Sequence, residues 1–237
     1  MKSVPRIAFA LFATFAALGV AFADPVLKVG TTGDYRPLTW YDTKTQSYEG
    51  SAIDLVEAFA RDRGYEIRFV GTTWPTLMQG LTGGEYQMAA GGISKTDARL
   101  KVALASAPVE HSGKVPLVRC GDEQRFATLA DIDKAGVTVV ENRGGTNEKF
   151  ALANIRNATL IIVPDNHQPF DYLRAGRADV MFTDSIEALY LQGKDSGLCA
   201  VNADHPYDPV DKVFLFRQDE GALRDEFNAW LKGRKGN

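Results

Sequence analysis

Short apolar runs alternate along this chain with longer stretches whose apolar residues recur every three or four positions, the signature of α/β construction. Strands are expected at residues 27–31, 66–70, 87–90, 115–118, 137–140, 160–163, 180–183 and 213–216. Between the first two, Ile53, Val56 and Ala60 share one helical face with Leu55 and Phe59 beside them. Gly64 then offers a left-handed stop. Leu223, Phe227, Trp230 and Leu231 repeat the helical spacing farther on. There is no internal repeat and no low-complexity tract.

The amino terminus has a different pattern. Lys2 and Arg6 precede an apolar run over residues 7–22, and Ala21-Phe22-Ala23 forms an A-x-A site. This predicts a cleavable secretory signal at 1–23, cut after Ala23, and a periplasmic product with no membrane anchor. That leader holds two positive charges, so the remainder is more acidic than the −3 of the whole chain. Such a balance argues against nucleic acid as a partner.

The length suits two lobes better than one core. Lobe 1 is expected to comprise 24–115 and 208–237, and an inserted lobe 2 to comprise 116–207. No Pro/Ser-rich linker is present, so strands rather than a tether should join them. Cys120 and Cys199 fall just inside the two crossings. In an oxidising compartment an even pair reads as a disulfide, contributing about 2–5 kcal/mol. Two separate buried thiols are the alternative. His111, His167 and His205 lack metal-ligand spacing, and neither a metal nor a cofactor is expected.

Candidate chemistry lies where strands end. Five segments, 31–37, 72–78, 91–99, 142–148 and 183–187, place polar groups there. In open α/β sheets, ligands sit beyond the carboxyl ends of strands, so these segments should surround one cleft. Asp184 and Glu187 are three apart at the start of a helix and share a face. One acid suffices to grip an ammonium group; a second is costly to bury unless it has work to do. Gly144-Gly145-Thr146 at a helix start exposes amides suited to a carboxylate. Pro75 should lead a helix, with Trp74 before it. Plain readings exist for each feature: Trp74 as packing, Arg99 as a surface arginine, the glycine pair as a loop, Glu187 as a solvated helix residue.

Taken in order, the segments resemble the amino-acid-type periplasmic solute-binding proteins over nearly the whole chain after the leader. That resemblance implies an α/β, two-lobe, type II fold with a ligand cleft between the lobes. Residues 92–99 match the run whose arginine, here Arg99, takes an α-carboxylate. A narrower set is similar to the cyclohexadienyl dehydratases: Thr31-Thr32-Gly33-Asp34-Tyr35, Trp74-Pro75, Gly113-Lys114, Gly144-Gly145-Thr146-Asn147-Glu148-Lys149-Phe150, Pro164-Asp165-Asn166 and Thr183-Asp184-Ser185-Ile186-Glu187. Those exported lyases convert prephenate to phenylpyruvate and arogenate to phenylalanine. By the resemblance, Glu187 is the general acid, and Asn142, Lys114 and Trp74 surround the ring. Arg99, Thr146 and Asp184 hold the ligand, with Gly145, Ser94 and Asp34 completing the substrate-binding set. Arg143 stands where that family would place a smaller residue, often proline. The competing expectation is a non-catalytic receptor handing a polar amino acid to an ABC permease. It would share Arg99 and Asp184 and have no use for Glu187.

Overall fold

The computed structural model describes residues 24–235, so the leader expected at 1–23 lies outside the described residues. The chain starts with β1 (Val26–Thr31), then a small antiparallel sheet of β2 (Asp34–Tyr35), β3 (Thr39–Asp42) and β4 (Ser47–Glu49). Next comes α1 (Ser51–Arg63), which buries Ile53, Val56, Phe59 and Ala60 and ends at Gly64 with φ 71°. This is the left-handed geometry that glycine adopts without a Cβ clash. β5 (Glu66–Gly71), α2 (Leu77–Thr82), β6 (Met88–Ser94), α3 (Asp97–Leu100) and β7 (Leu104–Ala105) complete the first run.

β8 (Glu110–Arg119) carries the chain across. Beyond it lie α4 (Leu129–Ile132), β9 (Thr138–Asn142), α5 (Thr146–Asn154), β10 (Thr159–Val163) and α6 (Gln168–Arg174). β11 (Val180–Asp184), α7 (Ser185–Gln192) and β12 (Leu198–Ala200) follow. β13 (Tyr207–Phe216) returns, and α8 (Gly221–Lys235) packs Phe227 and Trp230 against Phe59.

The large sheet runs β10-β9-β11-β8-β13-β6-β1-β5. Its two long central strands, β8 and β13, are antiparallel to each other, and parallel triplets flank them. Apolar cores form on either side. Val29, Phe59, Met88, Phe214 and Phe227 pack in one, and Val115, Leu117, Val140, Phe170 and Met181 in another. The result is the two-lobe type II architecture. Cys120 and Cys199 are joined, 79 residues apart in sequence, where β12 pairs with the end of β8.

Every strand expected from the pattern is present. The small sheet, β7 and β12 were not anticipated, because strands of two to four residues are too short to display alternation. One local expectation is corrected. Pro75 does not lead α2: Leu77 N donates to Thr73 O at 2.8 Å, so a turn closes around Pro75 and the helix begins only at Leu77.

Candidate active site

Strand register assembles a buried charge cluster. β11 runs antiparallel to β8 and sets Asp184 opposite Lys114, while β13 runs antiparallel to β6 and sets Lys212 opposite Ser94. Lys114 Nζ donates to Asp184 Oδ1 at 2.9 Å. Lys212 Nζ donates to Asp184 Oδ2 and, at 2.8 Å, to Ser94 Oγ. Tyr35 donates its hydroxyl to the same Oδ2 at 2.8 Å. Lys114 and Lys212 are 2% and 1% exposed, so their charges are held almost wholly out of water. Asp184 occupies the N-cap position of α7, yet its carboxylate turns to the lysines instead of capping the helix. Burial pushes its carboxyl up, but the two ammonium groups outweigh that and hold it well below the usual carboxylate range. Burial also draws the Lys212 ammonium down to about 8, against the pull of Asp184.

Glu187 lies in the first turn of α7 and is 4% exposed. Thr183 Oγ1 donates to its Oε2 at 2.5 Å. Burial pushes the carboxyl up to about 8; the Thr183 bond opposes this, and the charges of Asp184 and Asp34 reinforce it. A group of that kind keeps its proton at neutral pH.

These side chains meet at a cavity of about 20 Å³, bounded by Glu187, Asn142, Asp184, Arg99, Ser94, Trp74, Gly145 and Thr146, with Tyr35, Asn147 and Asn166. Arg99, at the end of α3, is steadied by Nη1 donating to Ser94 O at 2.7 Å. Burial draws its guanidinium down to about 10, still far above neutrality. Across the cavity, Gly145 at the N-cap carries no side chain to cover the first-turn amides of α5. Arg99 and that helix end form a site for a carboxylate. Tyr35 and Trp74 meet edge-on, 6.2 Å apart, and give the cavity a flat aromatic side.

The structure therefore brings most of the expected residues together and places two of them elsewhere. Lys114 is behind Asp184 and also donates to Asn147 Oδ1, so it does not face the cavity. Asp34, expected to touch substrate, sits one layer out: its Oδ1 accepts from Trp74 Nε1 at 3.2 Å, and it borders a neighbouring cavity with His167 and Glu187. Its carboxyl is raised, chiefly by burial. Asp184, expected to hold the ligand, is bound to two lysines. Lys212, Tyr35, Asn147 and Asn166 were not singled out as site residues. For Lys212 strand parity gave no signal, because β13 is buried on both faces from Lys212 to Phe216 and its register shifts between Val213 and Leu215.

A cavity of about 20 Å³ holds roughly one water, so the two lobes are closed on each other. Asn166 Nδ2 from one lobe donates to Asp34 O of the other at 2.9 Å, and the Trp40 and His167 rings lie 5.1 Å apart. Gly144, at φ 89°, abuts Pro75; a Cβ there would meet the Pro75 nitrogen and ring at 2.6 Å. Gly144→Ala should hinder closure. Its expected effect is a roughly tenfold or larger fall in ligand affinity, with global stability lowered by only about 1 kcal/mol for the left-handed backbone. Unchanged affinity in a titration would show that closure does not need this contact.

Residues 27–237 match the model of the bacterial extracellular solute-binding proteins, family 3. The cyclohexadienyl dehydratase of Pseudomonas aeruginosa is 40% identical over 206 residues, covering 87% of this chain and 76% of that protein. Among solved structures, an ancestral amino acid-binding protein described as a precursor of cyclohexadienyl dehydratase superposes with a TM-score of 0.82 at 29% identity, with 90% of each chain covered. An ancestral cyclohexadienyl dehydratase is 40% identical with a TM-score of 0.52, covering 89% of this chain and 87% of that one.

Proposed function

The chain belongs to family 3 of the bacterial extracellular solute-binding proteins, and from that premise we propose that it catalyses the cyclohexadienyl dehydratase reaction outside the cytoplasm, in the periplasm. The observation that carries this reading is Glu187: a neutral, buried acid inside the ligand cleft. A receptor gains nothing from such a group and bears the cost of burying it. The relationship to a dehydratase at 40% identity supports the same conclusion.

In this reading the substrate is prephenate or arogenate, a cyclohexadienol carrying one carboxylate on the ring and another on the side chain. Arg99 and the amino end of α5 hold the side-chain carboxylate. Trp74 and Tyr35 flank the ring. Glu187 gives its proton to the ring hydroxyl as the carbon–oxygen bond breaks and water leaves. The electrons of the bond to the ring carboxylate flow into the ring, CO₂ departs and the ring becomes aromatic. Asn142 orients the hydroxyl, and Lys114 acts indirectly, by fixing Asp184 and Asn147. General acid assistance of this kind is worth roughly 10²–10⁴-fold.

The direct test is incubation of the purified protein with prephenate, following phenylpyruvate by its absorbance in alkali. Catalytic release supports the lyase. Tight binding of a stable amino acid with no product would establish a receptor for an ABC permease instead. A narrower expectation concerns Arg99. Its charge-assisted bonds to a carboxylate are worth about 1.5–3 kcal/mol, so Arg99→Ala should raise KM by roughly 10–100-fold and change kcat less. An unaltered KM would move the anchor to another group.

A further inference from the structure

The two substrates of this reaction differ at one carbon. Prephenate has a keto oxygen on the side chain, and arogenate has an ammonium group there. An ammonium entering a closed cleft must find an anion or several acceptors, because an unpaired buried charge is heavily disfavoured. Asp184 is the anion at the cavity wall, and both of its oxygens are taken: Oδ1 by Lys114, Oδ2 by Lys212 and Tyr35. Two lysines against one carboxylate leave the cluster with net positive charge. Arg99, which faces the same cavity, adds another cation. Glu187 holds its proton and offers no negative charge.

We propose that Lys212 is a specificity-determining residue: by occupying Asp184 it makes the cleft prefer the dianionic 2-oxo substrate, prephenate, over the 2-ammonio substrate, arogenate. Lys114 and Tyr35 alone would leave Oδ2 room for one more donor, such as a ligand. The second lysine, delivered by the crossing strand β13 and hydrogen-bonded to Ser94, closes it. A keto oxygen demands no anion, and it tolerates the excess positive charge that repels an ammonium. This inference rests on the dehydratase reading, and the experiment separates the two.

The test measures kcat/KM for both substrates on the wild-type protein and on Lys212→Gln. For the wild type, prephenate should exceed arogenate by about tenfold or more, the size of discrimination that an unpaired buried charge imposes. In Lys212→Gln the ratio should shift toward arogenate by about fivefold or more, chiefly through KM, because Oδ2, still bonded by Tyr35, regains room for a second donor and one cation is gone. Turnover of both substrates with equal or greater efficiency for arogenate would overturn the preference and leave the dehydratase standing. An unchanged ratio in Lys212→Gln would remove Lys212 as its cause. Turnover of neither substrate would overturn both readings. The wild-type ratio stands without any variant folding, and calorimetric titration with phenylpyruvate and L-phenylalanine checks it. The keto acid should bind more tightly, and tighter binding of the amino acid would contradict the proposal.

Discussion

Replacing Glu187 by glutamine should abolish nearly all turnover, by roughly 10²–10⁴-fold, while the protein folds and still binds substrate. Glutamine matches the shape of the neutral acid and can keep a hydrogen bond to Thr183, but it has no proton of comparable acidity to give. The wild-type rate should be flat below pH 8 and fall about tenfold per unit above it, as the acid held at about 8 ionises. Lys212 titrates in the same range, so the substitution is what assigns the limb. The same change has a second, opposite consequence. Since the folded-state pKa of Glu187 lies above its value in the unfolded chain, the folded form retains a proton that the unfolded form releases. Stability is therefore lost as pH rises from about 4.5 to about 8. Glutamine escapes that loss, so at pH 7 Glu187→Gln should be more stable by an amount of order 1–3 kcal/mol. Dehydratase rates and thermal melts across pH check both halves. A fully active variant would remove Glu187 from the chemistry.

Asp184→Ala is expected to produce the largest loss of stability. It strands Lys114 and Lys212 inside the protein with no counter-charge, a change that costs about 3–5 kcal/mol. For a chain of this length that corresponds to a fall in Tm of about 10 °C or more. The folded-state pKa of Asp184 is depressed, so its contribution is complete above the unfolded carboxylate range and is lost only as pH falls through the folded value. Neutral pH is therefore where the deficit should be clearest. The gap between variant and wild type should narrow in alkali as the stranded lysines shed protons. A melt at pH 7 that matches the wild type would show that the lysines find other partners.

Much of the fold could be read from local pattern, because the long strands and α1 and α8 carry strong periodicities. The pairing of Asp184 with Glu187 was legible for the same reason, since both lie at a strand-to-helix junction. What could not be read was which groups would face these acids across the sheet. Residues 182–187 hold no cation, so the groups that bind Asp184 are not visible from its own segment. The cations come from Lys114, 70 residues earlier, and Lys212, 28 residues later, brought in by antiparallel pairing that no local pattern encodes. Asp34 misled for a related reason. Its turn borders the cleft, but its carboxylate accepts from Trp74 Nε1, and side-chain direction within a turn has no sequence period.

β8 and β13 span both halves of the molecule, and each also bears one of the buried lysines. Mechanics and acidity thus share the same two ribbons. Any flexing that parts the halves must also alter the spacing of the ammonium groups and the carboxylate between them. Substitutions chosen only to stiffen or loosen the crossing should therefore register as displaced pH optima, even when they lie far from bound substrate. In this molecule a titration curve doubles as a strain gauge.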